Sequence, residues 1–83
     1  MNADDIKRQL ERHVRMAGPS PLTLEVVSVG DDHFRIELHD HIAHAIMRPH
    51  SDDIARWDDH QYNYYAYHLI TEWAVQRYLI EMP

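Results

Sequence analysis

The chain has 83 residues, no cysteine and a formal net charge of −6 with histidine neutral. That length fits one domain, spanning 1–83, with a modest core, and no disulfide or thiolate metal site reinforces it. The acidity repels phosphate backbones, so ordinary nucleic-acid binding starts disfavoured and a basic protein partner or imitation of nucleic acid is favoured.

No stretch approaches the roughly 20 apolar residues of a membrane span. The opening "MNADDIKRQLERH" is charged throughout and lacks the apolar run of a secretory signal. The expectation is a cytoplasmic protein with no membrane contact.

Residues 3–17 read as an amphipathic helix, because Ile6, Leu10, Val14 and Ala17 recur at helical spacing. Asn2 can cap it, and Asp4 and Asp5 suit the positive end of its dipole. Gly18 and Pro19 stop it. Arg8, Arg12 and Arg15 line the opposite side, as a solvated face or a grip for an acidic groove.

"PLTLEVVSV" and "HFRIEL" are strand-like, with Phe34, Ile36 and Leu38 alternating against His33, Arg35 and Glu37. Gly30 to Asp32 joins them as a hairpin turn. Ile42 to Arg48, before Pro49, reads either as a third strand or as irregular chain. Ser51, Asp52 and Asp53 begin a short helix, and a long one runs from about Asp59 to Met82. The fold expected is α+β: a small antiparallel sheet of two or three strands, flanked by an N-terminal helix and a long C-terminal helix, in the order α-β-β-(β)-α.

Six of the eight aromatic residues fall in "HQYNYYAYHLITEWAVQRYLI", His60 to Ile80. On a helical wheel, Tyr62, Tyr65, Ala66, Leu69, Trp73 and Ile80 share one face. Tyr64, Tyr67, Thr71, Val75 and Tyr78 share the opposite one. A small sheet covers one stripe; the other is covered by the N-terminal helix or a partner, or its rings are ordinary surface tyrosines. Tyrosine suits a partner, because its ring gives contact area and its hydroxyl tolerates water.

Histidines His39, His41, His44 and His50 lie within twelve residues. A continuous strand puts His39 and His41 on one face, a zinc-ligand spacing that needs a third donor. His44 joins them only if Asp40 and His41 form a turn, and Asp40 can orient an imidazole. Metal candidates are therefore His39, His41 and His44. Four Asp-Asp pairs stand at expected helix starts or in the turn, where capping explains them. Asp31, Asp32, Asp52, Asp53, Asp58 and Asp59 are the acidic candidates for a basic partner.

"LEVVSVGDDHFRIEL" is similar to the early strands of BolA-like proteins, which also follow an N-terminal helix; the His-Arg segment which that family carries before its middle helix is missing. The order α-β-β-β-α resembles double-stranded-RNA-binding domains, and implies RNA binding as one alternative function. Where that family carries a lysine cluster, this chain reads "SDDIARWDDH".

Two glycines leave no glycine-rich phosphate loop, and Ser20, Ser28 and Ser51 stand in no nucleophile elbow. The expected function is therefore non-enzymatic and needs no cofactor. It is a small acidic inhibitor or adaptor that binds protein, with a homodimer as a further arrangement. Size, acidity and absence of a catalytic motif resemble phage-encoded anti-defence inhibitors. A His-rich metal-binding protein is the other alternative.

Overall fold

The computed structural model describes residues 2–18 and 21–82. Its elements are α1 (Ala3–Ala17), β1 (Thr23–Val29), β2 (His33–His39), β3 (His44–Met47), α2 (Ser51–Ala55) and α3 (Asp59–Glu81). This is the expected α+β order, with the third strand present.

Asn2 caps α1 by accepting from the Asp5 backbone N–H at 2.9 Å. Ile6, Leu10 and Val14 are buried as the periodicity requires, and His13 is buried with them. At the end of the helix the Gly18 N–H donates to the Val14 carbonyl at 2.7 Å. Pro19, the second half of the expected stop, lies outside the described residues.

The sheet has the order β1-β2-β3 with both pairings antiparallel. Val29 faces His33 across the hairpin, leaving Gly30, Asp31 and Asp32 as its loop. Gly30 adopts φ +65°, a left-handed conformation that glycine takes without steric cost. Leu24, Phe34, Ile36, Leu38 and Ala45 point to the covered face. Both long helices lie on that face: α1 against β1, α3 against β3 and β2, and the two helices against each other. The other face of the sheet carries His33, Arg35, Glu37 and His39, with Val27, Val29 and Ile46 exposed.

α2 begins at Ser51 as its sequence suggests, and His50 caps it, accepting the Asp52 N–H on Nδ1 at 3.1 Å. Asp58 starts α3 with a capping box, its carboxylate accepting from Gln61 N and the Gln61 side chain accepting from Asp58 N. Tyr62, Ala66, Leu69 and Trp73 then pack into the core. Ile80 departs from the wheel, being 57 % exposed. The reason is length: at about 1.5 Å per residue α3 far outruns the four-residue strand β3 beneath it. Ile80 meets the end of the sheet at the β2–β3 turn and not its covered face.

Candidate functional site

The second stripe of α3 is bare. Tyr64, Tyr67, Val75 and Tyr78 are 61, 51, 49 and 66 % exposed, and Thr71 is exposed between them. α1 does not cover this stripe; it lies beside α3, where Arg12 and His13 both reach the Asp59 carboxylate. Leu79, Ile80 and Met82 are also exposed and extend the apolar surface around the end of the helix.

The neighbouring rings of Tyr64 and Tyr65 have different tasks. Tyr65 stacks on Trp57, with centroids 4.3 Å apart and planes at 16°. Tyr64 stands edge-on to Tyr65 at 5.1 Å and projects outward. Trp57 also meets Tyr62 edge-on at 5.3 Å. The inner rings therefore anchor the base of the outer stripe. Along that stripe, the steps from Tyr64 to Tyr67, Thr71, Val75 and Tyr78 read the same from either end about Thr71.

The acidic candidates divide into two groups. Asp31 and Asp32 in the β1–β2 loop meet the start of α2, where the Ser51 N–H donates to the Asp32 carbonyl at 2.8 Å. His50 lies between Asp32 and Asp52, 3.9 Å from Asp32 Oδ2 and 3.7 Å from Asp52 Oδ2. The His33 ring bonds Asp32 at 2.7 Å and, with His50, holds that carboxyl below its usual pKa. Asp53 belongs to the same exposed corner. Asp58 and Asp59 stand apart, at the start of α3, one capping the helix and the other paired with Arg12. The arginine row is also engaged: Arg8 pairs with Asp5 and Arg15 with Glu11.

The histidine candidates separate because β2 ends at His39. His41 is exposed in the turn, whereas His44 opens β3 directly opposite His39. Asp40 makes the turn. Its Oδ1 accepts from the Ile42 and Ala43 N–H groups, each at 2.8 Å, and its Oδ2 accepts from Arg77 Nη1 at 3.1 Å. The Ala43 N–H leads in lowering the Asp40 pKa to about 2. Burial opposes the shift; the Ile42 N–H, the Trp73 indole and the Arg77 charge reinforce it. That indole Nε1 lacks hydrogen-bond geometry to any partner among the described residues.

On the open face, His39 Nε2 lies 3.3 Å from Glu25 Oε1, and His44 Nδ1 lies 3.0 Å from Glu37 Oε2. Donor atoms of Glu25, Glu37 and His39 all fall within 4.8 Å of one another. Sequence reasoning missed both glutamates, because its ligand search ran along one strand; the hairpin register Glu25↔Glu37 is the signal that finds them. No helix among the described residues is long and apolar enough to cross a membrane. No family model, curated protein or solved structure matches this chain.

Proposed function

We propose that the chain is a non-catalytic protein-binding module, a small acidic adaptor or inhibitor that docks through the outer stripe of α3. The observation that carries this reading is the exposure of Tyr64, Tyr67, Val75 and Tyr78 on a single helix face. Exposed apolar patches of this kind mark interaction surfaces more often than isolated exposed rings do. An amphipathic helix laid into a groove is a recurrent mode of protein recognition, read through anchors at this spacing.

The partner's chemistry follows from charge. Residues 50–83 carry six acids and two bases. Asp58 and Asp59 stand at the N-terminal end of the tyrosine row, and Asp52 and Asp53 belong to the acidic corner around His50. The surface therefore suits a protein with an apolar groove and a basic rim, with the acids steering the encounter. Affinity capture with wild type, Tyr64→Ala/Tyr67→Ala/Tyr78→Ala and Asp52→Lys/Asp53→Lys tests the reading. A protein held by wild type is expected to be lost from the tyrosine variant and weakened, in a salt-dependent way, in the lysine variant. Equal recovery by all three chains would sink it.

The spacing about Thr71 supports a second reading, in which the same face takes a second copy. A twofold contact between antiparallel helices pairs residue i with j and j with i. Tyr64 would then meet Tyr78 and Tyr67 would meet Val75, with Thr71 at the axis.

A further inference from the structure

We propose that the open face of the sheet carries a zinc(II) site formed by Glu25, Glu37 and His39, with His44 as fourth donor. The four residues come from all three strands: Glu25 from β1, Glu37 and His39 from β2, His44 from β3. Cross-strand pairing sets them together. Glu25 is directly opposite Glu37, and His39 directly opposite His44.

The distances suit the ion. Zinc bonds of roughly 2.0–2.1 Å in a tetrahedral site put neighbouring donors about 3.3–3.5 Å apart. The Glu25–His39 contact of 3.3 Å has that length, and Glu37–His44 at 3.0 Å is slightly shorter. The Glu25, Glu37 and His39 donors already lie within 4.8 Å of one another. The chemistry fits as well. Imidazole nitrogen selects zinc-like ions over magnesium and calcium, which prefer oxygen alone. Two carboxylates offset the charge of a divalent cation. Arg35 Nη1 stands 3.7 Å from Glu37 Oε1, so it holds one carboxylate oxygen and leaves Oε2 turned toward His44.

Such an ion ties three strands together and stabilises the folded chain, because the site does not exist in the unfolded one. The site shares none of its four donors with the tyrosine stripe, although Gln76 and Ile80 of α3 border the same depression.

The test is titration of tag-free protein with zinc chloride, followed by calorimetry, thermal melting and light scattering. One zinc per chain, a raised Tm and an unchanged mass are expected. Glu25→Gln, Glu37→Gln and His39→Ala should each weaken binding at least about tenfold, and His44→Ala should weaken it less. His60→Ala, in the exposed first turn of α3, should bind as wild type does. These positions are on an open face, so circular dichroism should show each variant folded. No binding at micromolar zinc overturns the proposal. So does binding unchanged in His39→Ala and Glu37→Gln, or half a zinc per chain with a doubled mass.

Discussion

Arg77 Nη1 donates to Asp40 Oδ2 at 3.1 Å, joining the late part of α3 to the turn between β2 and β3. The Asp40 side chain is only 6 % exposed, and its other oxygen holds both Ile42 and Ala43 N–H groups. Arg77 is oriented from two further sides, by Glu81 at 3.2 Å and by the Trp73 ring at 5.6 Å. Asp40→Ala removes the acceptor for all three donors, whereas Arg77→Ala removes one donor. Both should lower Tm, and Asp40→Ala by clearly more. Differential scanning calorimetry of the two variants gives the ranking; equal losses would mean that the Ile42 and Ala43 contacts add nothing beyond the Arg77 pair.

Acid should weaken the same contact. The folded pKa of Asp40, about 2, lies below the ordinary carboxylate value near 3.9, so the unfolded chain takes up this proton first. Its stabilisation is complete above about pH 4 and is lost as pH falls toward 2. With a chelator present, the Tm gap between wild type and Asp40→Asn should be constant from pH 6 to 5 and shrink below pH 4. A gap that persists at pH 2 contradicts the assignment.

Gly18 gives a steric prediction. A Cβ there would lie 2.9 Å from the Val14 carbonyl oxygen and 3.3 Å from Ile70 Cδ1. The Ile70 side chain can move, but the carbonyl is fixed by helix α1. Gly18 has φ −96° and ψ 155°, which alanine adopts freely, so the cost is contact and not conformation. Gly18→Ala should destabilise by roughly 1–3 kcal/mol in urea melts. A gain in stability would show that α1 and α3 can separate there without loss.

Local signals carried most of the fold. Ile6, Leu10 and Val14 repeat at helical spacing, Phe34, Ile36 and Leu38 alternate, and Gly30 marks the hairpin. What the sequence did not carry was relational. A wheel gives the angle of Ile80 but not the length of sheet beneath it, and the exposed Ile80 follows from that length. The burial of His13 depends on Asp59, 46 residues away. Asp40 looked like an orienter of imidazoles, and its turn-making role appears only with the backbone of Ile42 and Ala43. The tyrosine stripe was legible because it belongs to one helix. The Glu25, Glu37 and His39 group was not, because it needs the register of two strands.

The stripe itself can be separated from the core by stability measurements at two protein concentrations. Leu69 is 1 % exposed on the inner face of α3, so Leu69→Ala should cost about 2–5 kcal/mol at any concentration. Tyr64 and Tyr78 face outward, and in an isolated chain their replacement by alanine should change stability by no more than about 0.5 kcal/mol each. If two copies pair through Thr71, mass action makes wild-type Tm rise with concentration, because only the folded chain associates. Tyr64→Ala/Tyr78→Ala should abolish that rise and leave the dilute Tm almost unchanged. A wild-type Tm that ignores concentration, with a monomer mass by light scattering, removes the second copy and leaves a different protein as the occupant of the face. A dilute-limit loss as large as that of Leu69→Ala would place the tyrosines inside their own chain, and the docking surface would disappear with them.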